Sequence, residues 1–266
     1  MKETFYTVRA PLDARIALLA DLHEDSGQDI LASLRAQKPD LIAVAGDLIM
    51  VRRPEHTVYK MESVPQVLGL LAACTEIAPV FVSLGNHERL LCERDLEMIR
   101  STGVTLLDDA YVQHGPFVIG GLTSFSRRDY QDVKKRWYPD ALYPKSSNEK
   151  EALLPQPDVS WLNAFAKQEG FKILLSHHPE YYFLQYPFLA DLPIDLVLSG
   201  HAHGGQVRLF RALFAPGQGL FPKYTEGVFA GPHGSLVITK GCGNSRSRGV
   251  PRLFNPPETV YIDLRK

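Results

Sequence analysis

The chain of 266 residues has little cysteine: Cys74, Cys92 and Cys242 are far apart and odd in number, which argues against a disulfide framework and for a reducing compartment. It has no charge bias either. With 29 basic against 30 acidic residues and a net charge of −1, the basic footprint of a nucleic-acid-binding protein is missing, so stable nucleic-acid binding is not expected. The local run Lys134-Lys135-Arg136 is too short to change that reading. No apolar run reaches membrane-spanning length, and Met1 to Pro11 carries no apolar export core, so the expectation is a cytoplasmic protein without a transmembrane segment. Repeats, low-complexity segments and linkers are also missing, which points to a single domain over residues 1–266.

What is present is enough apolar material for a sizeable core, 45% of residues, and five short blocks of metal-ligating types. These are Asp21-Leu22-His23, Gly46-Asp47, Gly85-Asn86-His87-Glu88, His177 and Gly200-His201-Ala202-His203. Each follows an apolar run: Ile16 to Ala20, Leu41 to Ala45, Val80 to Leu84, Ile173 to Leu175 and Leu196 to Leu198. Short apolar runs bounded by polar or Gly-rich turns read as buried strands. Every block then falls at the carboxyl end of a strand, where open α/β sheets gather their ligands. Helical stretches are expected between them, at Asp29 to Gln37, Ser63 to Thr75, Arg94 to Ser101 and Ser160 to Glu169, giving a layered α/β chain.

The donors are oxygen and imidazole only, with no thiolate, which suits a two-metal hydrolase. Two divalent cations bring four positive charges, and a shared carboxylate, a second carboxylate and a bridging hydroxide remove three. The remaining charge matches a phosphodiester monoanion, while neutral imidazoles and an Asn carbonyl complete the coordination without cancelling it. Two metals roughly 3.5–4 Å apart can hold a nucleophilic hydroxide and the phosphoryl oxygens for in-line displacement.

In this order the five blocks resemble the calcineurin-like metallophosphoesterase superfamily, from about Arg15 to the carboxyl terminus. The run Gly200 to Gln206 and the tail motifs Glu226-Gly227, Lys240-Gly241-Cys242-Gly243, Pro251-Arg252 and Asn255-Pro256-Pro257-Glu258 resemble its bacterial YkuE/YaeI-like phosphodiesterase branch. Gly46-Asp47-Leu48-Ile49-Met50 lacks the Val-Asp-Arg-Gly continuation of protein serine/threonine phosphatases, which weighs against that activity. The resemblance implies a four-layer α/β/β/α sandwich, two packed mixed sheets flanked by helices. It also implies that Asp21, His23 and His203 hold one metal, that Asn86, His177 and His201 hold the second, and that Asp47 bridges them. By the same resemblance His87 is the outer-sphere acid. The two cations, Mn, Fe or Zn foremost, would support hydrolysis of small-molecule phosphoric esters, chiefly diesters.

Two other readings stay open. One is cleavage of the pyrophosphate of a lipid-linked UDP-2,3-diacylglucosamine precursor, for which the apolar stretch Glu180 to Ala190 would supply a lipid-facing element or, more simply, core. The other is a non-catalytic metal-binding scaffold, against which an intact His87 speaks. By the same resemblance His178, beside His177, is the variable position before Pro179 and His177 the expected ligand, though His178 can line the cleft. His56, His114 and His233 read as surface residues, and Glu88 as an acceptor for an imidazole or a partner of the following helix. Arginines that could meet phosphate oxygens are Arg89, favoured by proximity, and Arg52, Arg53, Arg127, Arg128, Arg246, Arg248 and Arg252. The stretch Arg127 to Pro157, with Trp137, Tyr138 and Tyr143, reads as a lid or a surface insertion.

Overall fold

A computed structural model describes residues 1–50, 61–125, 157–243 and 250–266. Its first sheet contains β1 (Lys2–Arg9), β2 (Ala14–Leu19), β3 (Leu41–Ala45), β4 (Val80–Ser83), β5 (Thr105–Leu107) and β14 (Glu258–Arg265), in the order β1-β14-β2-β3-β4-β5. The strands β2 to β5 run parallel, and β14 is antiparallel to β2 and parallel to β1. The second sheet contains β6 (Ala110–His114), β7 (Phe117–Leu122), β8 (Phe171–Ser176), β9 (Leu196–Ser199), β12 (Gly227–Ala230) and β13 (Ser235–Ile238), in the order β12-β13-β9-β8-β7-β6. It too is mixed, parallel through its middle with an antiparallel strand at each edge. A short ribbon pairs β10 (Phe214–Ala215) with β11 (Gly219–Leu220).

Side chains alternate faces along a strand, and the apolar strands use both faces. Ile16, Leu18, Leu41, Ala43, Ile173, Leu175, Leu196 and Leu198 meet in one core between the sheets. Their neighbours Ala17, Leu19, Ile42 and Val44 turn outward to a second core, closed by α1 (Gln28–Gln37), α2 (Pro65–Thr75) and α3 (Glu93–Arg100) through Leu34, Leu71 and Ile99. On the far side Leu174 and Val197 pack under α4 (Leu162–Ala166) and α5 (Glu180–Phe183), with Phe165 and Tyr182. Three cores therefore separate four layers, the α/β/β/α order expected from the motif resemblance.

Two helices differ from the sequence reading. The second begins at Pro65 and not Ser63, because proline lacks an N–H and fits the first helical position, leaving Ser63 in a preceding 3₁₀ turn. The stretch read as Ser160 to Glu169 is helical only over Leu162–Ala166. Gln168 N already closes a tight turn on Phe165 O, and Gly170, at φ +121°, directs the chain into β8.

Candidate metal centre

All five blocks stand at the carboxyl ends of their strands: Asp21 after β2, Asp47 after β3, Asn86 after β4, His177 after β8, and His201 with His203 after β9. The first three strands belong to one sheet and the last two to the other, so the centre lies where the two sheets' loops meet. Backbone bonds join these loops. Asp21 N donates to Gly46 O at 3.1 Å, His23 N to Asp47 O at 3.2 Å and Gly200 N to His177 O at 3.1 Å. Between sheets, His201 N donates to the Asp21 carboxylate at 3.1 Å, and the His177 ring donates through Nδ1 to Ala45 O at 2.7 Å.

Local backbone makes this convergence possible. Asp21, His23, Asp47, His201 and His203 all have left-handed φ between 47° and 64°. Side chains seldom adopt that region, and where they do a site usually demands it. Gly200 allows the close approach, since a Cβ there would sit 2.5 Å from Ala20 Cβ and 2.6 Å from Asp21 Oδ2.

The donors fall into three overlapping groups: Asp21, His23 and His203; His23, Asp47 and His87; and Asp47, His177 and His201. In the first, His23 Nε2 and His203 Nε2 are 3.4 Å apart and lie 3.7 and 3.6 Å from Asp21 Oδ1. In the last, His177 Nε2 is 3.1 Å from Asp47 Oδ2. The Nδ1 atoms of His23 and His177 face the carbonyls of Ile49 and Ala45, which fixes a proton there and turns each Nε2 toward the centre. Asn86 Oδ1 is buried without a hydrogen bond, as an acceptor kept for a cation would be. Of the expected ligands, Asp21, His23, Asp47, His177, His201 and His203 are thus brought together, and His87 reaches the same cluster with its Nε2 3.7 Å from Asp47 Oδ2.

Asp21 and Asp47 are fully buried, and among the described residues no Lys or Arg lies within 4 Å of either. Burial pushes the Asp21 carboxyl up, whereas for Asp47 the same penalty is outweighed by His177 and His87, which hold it well below the usual range. On His177 burial opposes charge, but Asp47 and Asp21 win and raise it to about 10. His201 and His203 are driven well below the ordinary imidazole range by burial and by neighbouring rings. Two buried carboxylates held only by imidazoles are costly, and a divalent cation is a compensation that this oxygen and imidazole set fits.

Other residues take roles that sequence proximity did not show. Among the described residues the Glu88 carboxylate bonds neither an imidazole nor the following helix. Its carboxylate accepts from Gly85 N at 2.7 Å, Asp47 N and Leu48 N at 2.9 Å, and Ile49 N at 3.3 Å. Burial, with Asp47 nearby, raises its carboxyl to about 7 against those donors. Arg89 donates to Asn86 O and braces the loop. Arg252 touches the side chain of a candidate ligand, its Nη2 3.1 Å from His203 Nδ1. Asn255 Nδ2 donates to His203 O at 2.6 Å, so the tail motifs back this block. His178 is buried on Ser124 Oγ at 2.9 Å and belongs to none of the three groups.

In the stretch Glu180 to Ala190, Tyr181, Tyr182 and Leu189 are core, while Leu184, Tyr186 and Phe188 are exposed. His114 packs edge-on to Phe81, partly covered, and His233 stands in a bend. Arg52, Arg53, His56, Arg127, Arg128, Arg246 and Arg248, with residues 127–156 and their Trp137, Tyr138 and Tyr143, lie outside the described residues.

A sequence model of the calcineurin-like phosphoesterase family matches residues 14–205. The chain is similar to phosphodiesterase YaeI of Escherichia coli (strain K12), 28% identical over 264 residues that cover 94% of this chain and 82% of the relative. It is 25% identical over 239 residues to the uncharacterized metallophosphoesterase YkuE of Bacillus subtilis (strain 168), covering 89% of this chain and 71% of that one. An uncharacterized metallophosphoesterase of Campylobacter jejuni is 26% identical across 95% of this chain, which spans 59% of that relative's length. Among solved structures, TT1561 of Thermus thermophilus aligns over 85% of this chain and 89% of its own with a TM-score of 0.48 and 12% identity.

Proposed function

The chain belongs to the calcineurin-like phosphoesterase family, and from that premise we propose that it is a dinuclear metal-dependent phosphodiesterase. What carries the reading is the pair of buried carboxylates ringed by imidazoles with no lysine or arginine against them among the described residues. Asp47 and His23 each belong to two of the three donor groups, and of the two only the Asp47 carboxylate has two oxygens to offer, which suits the residue shared by two ions. Asp21, His23 and His203 hold one ion, and Asn86, His177 and His201 the other. Bound there, two divalent cations supply Lewis acidity to the phosphoryl oxygens and an acidified water as nucleophile.

His87 is the acid. Its ring is 21% exposed where Asp47 is 1%, so it faces the side from which substrate enters. Its backbone N–H donates to Asp47 Oδ1 at 2.9 Å, tying its position to the shared carboxylate. Burial holds the imidazole below its usual range despite Asp47, so near neutral pH the free ring is uncharged and carries one proton. A negative phosphoryl group arriving beside it favours the charged form, from which the leaving oxygen can be protonated.

The test is metal exchange on a chromogenic phosphodiester. Chelated protein is expected to be inactive and to recover with Mn²⁺, binding two ions per chain by metal analysis, with the diester hydrolysed faster than the matching monoester. Full activity after exhaustive chelation overturns the reading.

A further inference from the structure

Single exposed apolar residues are common on protein surfaces, whereas contiguous ones mark contact sites. Leu209, Phe210, Leu220 and Phe221 are exposed on the segment that follows the His201–His203 block, and Leu253 and Phe254 on the segment before β14. Phe210 is exposed in full and Phe254 at 79%. The two segments are stitched together. Arg208 N donates to Leu253 O at 3.0 Å and Leu253 N to Gln206 O at 3.1 Å, while Phe221 N donates to Leu213 O at 2.9 Å.

Charge follows the same segments. Residues 206–223 and 250–254 contain Arg208, Arg211, Lys223 and Arg252 and no Asp or Glu, in a chain whose acids otherwise slightly outnumber its bases. Glu226 neutralises Arg208 at 2.7 Å, but Arg211 and Lys223 remain exposed and lie over the Phe221 and Tyr224 rings at 4.4 and 5.1 Å. Protruding Phe and Leu side chains flanked by cations, without acids, fit the boundary between headgroups and acyl chains.

We propose that the segments 206–223 and 250–254 form a docking surface for a phospholipid bilayer with anionic headgroups. The surface is continuous with the metal centre, since Arg252 contacts His203 and Gln206 Nε2 donates to Val250 O at 2.6 Å. Docking there sets the His203 side of the centre against the headgroups. The inference stands on the two segments alone, and vesicle binding is read without turnover, so an inactive protein tests it equally.

The experiment is sedimentation of the full chain with phosphatidylcholine vesicles, with and without phosphatidylglycerol. Expected is binding to the mixed vesicles and little to the neutral ones. Arg211→Gln should weaken it about fivefold. The double variant Phe210→Ser, Phe254→Ser should weaken it by at least about tenfold, since two insertable rings are lost. Hydrolysis of a soluble chromogenic diester by that double variant should be unchanged. No binding to anionic vesicles, or undiminished binding by the double variant, overturns the proposal. So does a chain that ignores vesicles but is a dimer by light scattering and a monomer in the double variant, which would assign the surface to a second copy.

Discussion

Five of the seven candidate ligands hold left-handed backbone, at a cost of about 1–3 kcal/mol each. Such strain persists only where surrounding bonds over-determine it, and it aims the donors of Asp21, His23, Asp47, His201 and His203 inward from sharp turns. Substitution separates the roles within this cluster. Asp47→Asn is expected to lose bound metal and activity together, because the charge shared by both ions is gone. His87→Asn should keep its metal and lose about 10²–10⁴ in kcat; metal loss in that variant would make His87 a ligand. The donors were legible in the sequence because only a few residue types bind hard divalent ions, and each stood after an apolar run. Arg252 was among the arginine candidates, but its contact with His203 from 49 positions away was not legible, and nearness along the chain favoured Arg89, which instead bonds its own loop.

Strands place the site and loops shape it. The apolar runs foretold β2, β3, β4, β8 and β9 to within two residues at each end, since burial on both faces leaves no room for polar interruptions. The tie between the loops was hidden, because Glu88 takes hold of backbone N–H groups, which carry no sequence signal. It joins the β3 loop to the β4 loop through four acceptances, two on each oxygen. In Glu88→Gln one of those oxygens becomes an NH₂ that opposes two N–H donors. The expected loss is about 1–3 kcal/mol in urea unfolding, with weaker metal binding, while an unchanged midpoint would show that the loops hold without it.

Across the whole molecule, the two-sheet arrangement came from the motif resemblance and not from periodicity, which cannot say which strands share a sheet. A cross-strand pair gives the first sheet a pH signature: Arg15 on β2 meets Asp263 on β14 through Nε to Oδ1 at 2.7 Å and Nη2 to Oδ2 at 3.0 Å. The Arg15 hydrogen bonds hold the Asp263 carboxyl below its ordinary value. A depressed carboxyl stabilises the fold above the unfolded value of about 3.9 and loses that contribution as pH falls through the folded one. The difference in Tm between the native chain and Asp263→Asn is therefore expected to be widest above about pH 4 and to narrow in stronger acid, and a difference independent of pH would refute it. The position of β14 bears on biosynthesis. The strand of the first sheet that comes latest in the described sequence is not an edge strand but fits between β1 and β2, the two earliest. Until residues 258–265 have been made those two strands have open sides facing one another, so the half of the molecule carrying Asp21, Asp47 and Asn86 waits for β14, and a nascent chain stalled short of it offers unpaired edges on which other chains can aggregate.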